Sequence, residues 1–527
     1  MAAQHVDYGG TMRKQLKVLL LATTMLVAPA SAKADPIITP TIASALISAG
    51  LSSAAATAIG SAVSAVVTAV ALTGVQQVVG GLFASDADRA TVSSSVVSTG
   101  STKLTTRQAL PAQVEVRGRA IVGGAVNFQE VDPPYLTMGL ILAGHAIDGI
   151  DYAQILDNQV TFDADTYEAQ GSPYNTGSTV FLKGHVRLGE ASETVSPLLL
   201  GRYPNVLESF ATPGWASAVL EAKYGTSQDQ QKELYGSNFQ VLWFVRGKPI
   251  FDPRRDAVLY SENPALHIAD LLQSDWAGQI TADQIDFDSF ARAADHCDQK
   301  LPTPDGEEPR YALNGALQRD ANWPDVLGQM LTSCRGRLTL NGGKIGLRVG
   351  VPEEPELTIS QNIIAGGFEM VGGTPRADLV NKVQTRFVSL DREYEAVLGP
   401  LVQDDEAIAA DGQVYEKGLD LPFEISPWRA QRHAHAFLKD ARIGRAARIP
   451  IDGNTVEAWE VEPGMVVRTS FTSPILKRHD GVWIVEEIEP SDDLSISALR
   501  LSEYDPSIYA IPAYQPFEVE AINVEAA

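Results

Sequence analysis

The residues of this chain that could carry chemistry are few and poorly grouped. Its two cysteines, Cys297 and Cys334, occur without a Cys-x-x-Cys pair and without paired histidines at metal-ligand spacing. That pattern argues against a disulfide framework and against a zinc site. His296 precedes Cys297 in a helical stretch, but adjacent residues on a helix point apart, so it does not activate the thiol. We expect two reduced, structural cysteines.

The other histidines do not form a ligand set either. His433 and His435 lie two residues apart on a predicted helix, where they face different sides. His145 lies inside a predicted strand, where a lone histidine is more often a hydrogen-bonded structural residue than a ligand. We therefore expect no metal, and no cofactor is implied.

Acidic runs and glycine-rich turns also fall short of a catalytic signature. Asp404-Asp405-Glu406 and Asp286-Phe287-Asp288 are typical of solvated faces, because carboxylates adjacent in sequence need not flank one sugar as glycosidases require. Gly342-Gly343-Lys344 lacks the Ser or Thr and the helix of a phosphate-binding loop. No Gly-x-Ser-x-Gly, His-Glu-x-x-His or Rossmann fingerprint occurs. We expect that the protein is not an enzyme, and we assign no catalytic, cofactor-binding or metal-binding residue.

Length and charge describe a large acidic protein. At ordinary domain sizes, 527 residues imply roughly three or four domains. The chain has 65 acidic and 41 basic residues, for a net charge of -24. This balance disfavours an outer surface that grips nucleic acid by neutralising its phosphates.

The elements that must position these residues are mainly strands. Residues 114–128 alternate apolar side chains with Arg, Glu and Asn, the pattern of a half-buried strand, and Gly123-Gly124 within them predicts a hairpin. Residues 135–150 form a long apolar strand interrupted by glycine, and residues 155–162 predict another turn between apolar residues. Residues 239–246 are a further predicted strand.

A turn and a helix follow this strand. Gly247-Lys248-Pro249 turns the chain, and Asn263-Pro264 fixes the entry into a helix over residues 265–272. In this order, the segments resemble the central tail-tip (hub) proteins of long-tailed phages, the lambda-type J family. The resemblance is carried by these segments, which are residues 114–128, residues 135–150, Arg246-Gly-Lys-Pro-Ile-Phe-Asp-Pro-Arg254 and Ser261-Glu-Asn-Pro-Ala-Leu266. It is closest over residues 114–300, where relatives link a first barrel to a helical module.

The second half of the chain alternates helices and strands. Residues 281–350 are predicted as two helices (286–297 and 323–331), a polar loop (302–310) and a hairpin (337–348) that turns at Asn341-Gly342. A second β module starts near Leu357, with strands at 381–388, 461–468, 481–488 and 497–502 and a helix at 427–442. Its Glu462-Pro-Gly-Met-Val-Val467 turn and its Leu499-Arg-Leu-Ser-Glu-Tyr-Asp505 ending resemble the second barrel of tail hubs.

The first hundred residues give a conflicting signal. Arg13, Lys14 and Lys17, an apolar run and Ala30-Ser-Ala32 look like a secretory signal, and Met12 is the better start for it. Residues 36–85 then carry no charge, and as a helix they would extend roughly 75 Å. Tail-tip relatives often carry such a segment near their axis. A packed bundle or plug, a membrane-active segment, and a disordered or cleaved segment remain alternatives.

The resemblance implies an α+β, mainly β, multi-domain tail hub with two β-barrel modules, an α+β module and an apolar helical N-terminal segment. The expected divisions are a signal-like segment (1–35), an apolar charge-free helical segment and linker (36–100), a first hub β-barrel module (101–255), an α+β helical and hairpin module (256–350), a second hub β-barrel module (351–510) and a C-terminal tail (511–527).

The resemblance also implies a structural virion component, assembled in the host cytoplasm. It would be a homotrimer at the tail tip that closes the tail tube and takes part in DNA passage. Its implied partners are the distal tail protein and tail tube ring, the tape-measure protein, receptor-binding or fibre subunits, and transiently viral DNA and the host membrane. The alternative, favoured only by the signal-like start, is an exported periplasmic or cell-surface β-rich binding protein or hydrolase.

Overall fold

The computed structural model describes residues 102–108, 111–236, 239–367, 369–372, 379–392, 394–452, 460–473, 477–490 and 496–517. They belong to one compact unit that spans residues 82–527. The signal-like segment and the apolar segment predicted before residue 100 lie outside the described residues, and so does the end of the C-terminal tail. The predictions for those segments stay predictions.

The first module pairs two antiparallel sheets. Its elements are β1 (Val114–Arg117), β2 (Arg119–Val122), β3 (Ala125–Asp132), β4 (Tyr135–Ala143), β5 (Gly149–Ile155), β6 (Asn158–Val160), β7 (Leu182–Arg187), α1 (Pro197–Arg202), β8 (Ala216–Lys223), α2 (Gln228–Tyr235) and β9 (Leu242–Arg246). The strand orders are β2-β9-β5-β6 and β3-β4-β8-β7. Apolar residues of both sheets, such as Leu140 and Trp243, form one buried core. In the described residues neither sheet closes on itself, so the predicted first barrel is not confirmed.

Glycine at the end of β2 serves a sheet crossing rather than a hairpin. Strand β2 pairs with β9, whereas β3 pairs with β4, so the predicted hairpin at Gly123-Gly124 is wrong. A Cβ on Gly123 would lie 2.2 Å from the carbonyl oxygen of Lys103, and Gly124 has a φ of +76°. The two glycines are needed for a close backbone approach and a left-handed turn between sheets. The turn predicted within residues 155–162 is confirmed as the β5–β6 hairpin.

The second module combines helices with hairpins. Its elements are β10 (Ile250–Asp252), β11 (Ala257–Leu259), α3 (Pro264–Gln273), α4 (Phe287–Asp298), β12 (Lys300–Thr303), β13 (Gly306–Pro309), β14 (Gly315–Gln318), α5 (Trp323–Thr332), β15 (Arg337–Asn341) and β16 (Lys344–Arg348). The three predicted helices and the second hairpin are confirmed, although its turn is at Gly342 and Gly343 rather than at Asn341-Gly342. The predicted polar loop at 302–310 is instead mostly the β12–β13 hairpin, which turns at Pro304-Asp305.

The third module contains two separate sheets. Its elements are β17 (Leu357–Ser360), β18 (Glu369–Val371), β19 (Lys382–Ser389), β20 (Glu395–Gln403), α6 (Asp405–Asp411), β21 (Glu416–Leu421), α7 (Pro427–Asp440), β22 (Ala446–Pro450), β23 (Val466–Ser470), β24 (Gly481–Pro490) and β25 (Ile496–Glu503). The sheets are β17-β23-β24-β25-β22-β18 and β20-β19-β21, and α7 packs on the smaller one. The end strands β17 and β18 do not pair in the described residues, so the second barrel is not confirmed. Alternating patterns identify the buried face of a strand but not which strands close a sheet.

Short 3-10 turns join these elements at Glu208–Ala211, Ala282–Gln284, Gln361–Ile363, Leu390–Arg392, Lys477–His479 and Pro506–Tyr509. Within the described ranges, no helix combines the length and apolar character needed to cross a bilayer. The outcome is a mainly β protein of several sheets with few helices.

Candidate functional site

Strand β1 is buried on both of its faces. It pairs with β14 from Val114 opposite Gln318 to Arg117 opposite Gly315, and so connects the first module to the second. The side chains of Glu115 and Arg117 are 1% and 0% exposed. The predicted half-buried strand is therefore wrong here, because the second module covers the face that would otherwise meet water.

Arg117 is the centre of a buried ionic network. Its guanidinium pairs with Glu115 on its own strand and with Asp270 of α3, whose Oδ2 lies 2.8 Å away. Nη1 donates a 2.8 Å hydrogen bond to the backbone carbonyl of His267. A buried charge is tolerated only when it is paired and hydrogen-bonded, and these three contacts supply both.

Further side chains complete the network around the two carboxylates. Trp276 Nε1 donates to Glu115 Oε2 at 2.9 Å, and Arg319 Nε lies 3.3 Å from the same oxygen. Lys248 Nζ donates to both Asp270 oxygens, at 2.8 and 2.9 Å. Glu115, Arg117, Lys248, Asp270 and Arg319 are referred to as the junction cluster.

Electrostatics keep the central carboxylate ionised. Burial by itself raises the pKa of Glu115, but the positive charges of Arg117, Lys248 and Arg319 outweigh it and lower this pKa from 4.5 to about 2. The carboxylate is therefore charged throughout the physiological range. It functions as a fixed anion that holds positive partners in place.

Two buried histidines beside the junction cluster are held neutral. His145 Nε2 accepts from the Val116 N–H at 2.9 Å, and Nδ1 donates to the Ala146 carbonyl at 2.7 Å. Burial lowers its pKa to about 4. His267 Nε2 donates to the Ser261 carbonyl at 2.9 Å, and burial followed by the Arg117 charge lowers its pKa to about 3. Both act as hydrogen-bonding residues rather than as acid–base groups near neutral pH.

The Arg-Gly-Lys turn places Lys248 at the junction cluster. Lys248 N donates to the Val116 carbonyl at 2.9 Å, and Gly247 N donates to the Gly118 carbonyl at 2.7 Å. A Cβ on Gly247 would lie 2.3 Å from the oxygen of Val116. Only glycine lets the turn approach β1 this closely, and this explains why the motif has glycine before the lysine.

The other two motifs make their contacts within the second module. Arg254 Nε and Nη2 bind both oxygens of Asp252 at 2.9 Å, while Nη1 reaches Asp295 at 3.0 Å and Asp298 at 2.9 Å on α4. Asn263 caps α3 by accepting from Ala265 N at 3.0 Å, and its Nδ2 donates to the Ala294 carbonyl at 2.8 Å. The Asp-Pro-Arg and Asn-Pro segments therefore join the β10–β11 hairpin and both helices.

This arrangement is suited to mechanical coupling. Its charged groups are paired with one another, and its histidines make backbone hydrogen bonds. In the part of the chain that the structure describes, no three His, Cys, Asp or Glu side chains come together in a group that could hold a metal ion. The geometry locks the first module onto the helices of the second.

Among the cysteines and histidines considered in the sequence, His145 lies beside the junction cluster, where it accepts from the Val116 N–H. Cys297 and Cys334 are buried, reduced members of the second module's core. Burial raises the pKa of the Cys297 thiol well above its usual value, so this thiol is inert. His433 is buried on α7 with its ring 5.5 Å from that of Tyr311, and burial lowers the pKa of His435 on the same helix.

The acidic runs serve as helix caps. Asp404 Oδ1 accepts from Ala407 N at 2.9 Å, and Asp286 Oδ1 accepts from Ser289 N at 3.3 Å.

Sequence reasoning missed the junction cluster itself. The available signal was Glu115 and Arg117 in a stretch that carried the resemblance, but alternation alone assigned them to a solvent face.

The comparisons with known proteins agree with the motifs. No protein-family model matches the sequence. A stretch of 115 residues is 29% identical to the tip attachment protein J of Escherichia phage SECphi27, and it covers 21% of this chain and 10% of that protein. A chain of the virion of the native gene transfer agent particle matches at a TM-score of 0.58 and 16% identity, over 86% of this chain and 99% of that chain. This chain resembles phage tail proteins.

The resemblance predicted from the sequence is thus confirmed. The 43 kDa tail protein of prophage MuSo2 from Shewanella oneidensis matches at a TM-score of 0.29 and 10% identity, over 76% of this chain and 99% of that chain, which is too low to support an argument. The match to the J protein spans about a tenth of that protein's length. What the J protein does as a whole therefore bears on this chain only as a proposal.

Proposed function

We propose that this protein is a structural component of a phage-type tail tip, a trimeric hub that closes the tail tube and takes part in DNA passage. The observation that carries the proposal is the fold similarity to a virion chain over 86% of this protein, joined to a local sequence match with a tip attachment protein. A structural role also fits the junction cluster, whose contacts hold modules together.

The proposed trimer follows from the presence of two β modules in each subunit. In the proposal, the first and third modules of each subunit occupy equivalent positions around the tail axis, so three subunits present six β modules to a six-fold tube. The proposed neighbours are the distal tail protein, the tail tube ring, the tape-measure protein and fibre or receptor-binding subunits. The net charge of -24 suits a conduit that passes DNA without gripping it.

The apolar segment over residues 36–85 is proposed as a plug at the axis of this hub. Fifty residues without a charge are unfavourable in water, and three copies on an axis could bury one another. Release of the plug would then accompany DNA exit and contact with the host membrane.

Copy number and location in purified particles test the hub proposal. We expect quantitative mass spectrometry to give three copies per particle, and labelled antibody to bind at the tail end distal to the capsid. A copy number of six or one, or labelling along the tube, would refute the hub. Recovery of the protein in periplasm and its absence from particles would favour the exported alternative, which rests on residues 13–35 alone.

A further inference from the structure

A cleft in the second half of the chain is lined by positive and aromatic side chains. It lies between α7, the end of the β12–β13 hairpin and the 3-10 turn at Pro506–Tyr509. The empty space within it, including solvent at its open mouth, is about 300 Å³, and its lining includes Arg310, Tyr311, Arg335, Arg432, His433 and Tyr509. Among the described residues, no Asp or Glu lines the cleft.

Arg310 is a buried cation whose side chain bonds to a neutral amide, that of Gln299. The residue is 8% exposed, and its Nε and Nη2 both donate to Gln299 Oε1, at 3.2 and 2.9 Å. Within the described ranges, no carboxylate lies at ion-pair distance from this guanidinium. A buried charge without a counter-charge is unfavourable, so an anion that enters the cleft would be favourably bound.

The carboxylates of Glu308 and Asp440 pair with arginines other than Arg310. Arg432 Nη1 lies 3.0 Å from Glu308, and the same carboxylate is 3.3 Å from Arg429. Arg335 Nη2 lies 3.2 Å from Asp440. Glu308 and Asp440 are thus engaged with arginines other than Arg310. The cleft is a local positive site on a strongly acidic protein.

We propose that this cleft is a binding site for a small phosphate-like oxyanion, held by the Arg310 guanidinium with Arg335 and Arg432 beside it. The planar fork of arginine matches the oxygen geometry of phosphate. The cleft is too small to admit a DNA duplex. We therefore favour a free phosphate ion, rather than the phosphate of a nucleic acid, as the ligand. The proposal is independent of the tail-tip function.

Titration of the full-length protein with inorganic phosphate, at ionic strength held constant with chloride, tests the site by calorimetry. We expect saturable binding to the wild type and a loss of affinity of about tenfold or more in Arg310→Gln, because a charge-assisted fork is removed. The matched control is Arg255→Gln, which removes the same charge from a side chain that is 68% exposed. It should bind phosphate like the wild type.

A second variant keeps the test valid if Arg310→Gln does not fold. Ala510 lines the cleft and is exposed, so Ala510→Glu should fold and place a carboxylate at the cleft that competes with phosphate. We expect phosphate binding to be lost in this variant too. Absence of saturable binding to the wild type, or equal affinity in the wild type and either cleft variant, would overturn the proposal. So would Arg310-dependent binding of a short single-stranded oligonucleotide without binding of inorganic phosphate.

Discussion

Removal of the guanidinium at the centre of the junction cluster should destabilise the protein strongly. Arg117→Met keeps a side chain of similar length but removes its charge. Glu115 and Asp270 then each lose a positive partner, and the His267 carbonyl loses the hydrogen bond that Arg117 donates. Removing one partner from a buried charged group costs about 3–5 kcal/mol, because the remaining charge stays buried without full compensation.

The contacts that survive set the expected value within this range. Glu115 keeps the Trp276 hydrogen bond at 2.9 Å and Arg319 at 3.3 Å, and Asp270 keeps Lys248 at 2.8 Å. The remaining carboxylates are therefore only partly uncompensated. We expect a loss near the lower end, about 3 kcal/mol in the free energy of unfolding.

Urea unfolding of the full chain, followed by tryptophan fluorescence, measures this loss. Trp276 donates to Glu115 and so reports on the junction cluster. The matched control is Arg386→Met, whose ion pair with Asp420 has side chains that are 52% and 49% exposed. Such a surface pair contributes about 0–1 kcal/mol.

The double variant Glu115→Gln with Arg117→Met separates charge from packing. Because the neutral amide no longer needs a counter-charge, part of the lost stability should return relative to Arg117→Met alone. Arg117→Met within about 0.5 kcal/mol of the Arg386→Met control would refute the view that the buried pair holds the junction. A double variant that is less stable by the full sum of the single losses would refute it as well.

Three other perturbations test separate parts of the structure. The pKa values of His145 and His267 are lowered from 6.5 to about 4 and about 3, so both are neutral in the folded protein but protonate in the unfolded chain. Their contribution to stability is therefore complete above pH 6.5, and it should be lost as the pH falls from 6.5 through the folded pKa values of about 4 and about 3. Unfolding free energy measured against pH should show this decline, followed by the Glu115 contribution between pH 4.5 and about 2, and a flat profile down to pH 3 would contradict it. Arg254→Ala should lower unfolding free energy by about 2 kcal/mol, since its fork to Asp252 is lost, whereas exposed Arg255→Ala should change it by about 0.5 kcal/mol or less in the same urea assay. Val66→Asp with Val70→Asp should abolish assembly or infection, because it buries unpaired carboxylates in the proposed plug, while the fragment from Val114 onward keeps its circular dichroism; particles that assemble and infect normally would exclude the plug.

Local chemistry explains why much of the fold was predictable. Asn263-Pro264 predicts a helix start from two adjacent residues, and the structure has Asn263 as the cap of α3. The polar 302–310 segment was predicted as a loop although most of it forms a hairpin, in which Lys300 lies opposite Pro309. Its sequence lacks the apolar alternation by which strands are recognised. Strand signals in sequence report burial on one face, and a hairpin that lacks such a face escapes them.

The junction cluster could not be predicted for a different reason. Arg117 bonds to a residue 150 positions later, and Glu115 to one 161 positions later. No sequence signal near β1 shows that a second module will cover its polar face. Gly123-Gly124 shows the same limit, because a glycine pair fits a hairpin and a sheet crossing equally well until the pairing of β2 and β3 is known.

A buried ionic network is a poor way to gain stability, since apolar side chains of the same shape would serve as well or better. What it supplies is orientation: a planar guanidinium satisfies Glu115, Asp270 and a carbonyl only when β1 and α3 meet in one arrangement. An apolar interface tolerates sliding by a fraction of a side chain, whereas this one leaves charges unpaired if it shifts. For a protein proposed to repeat its modules around a tail axis, a fixed angle between modules would decide whether the ring closes. The junction cluster is therefore expected to govern assembly more sharply than it governs stability.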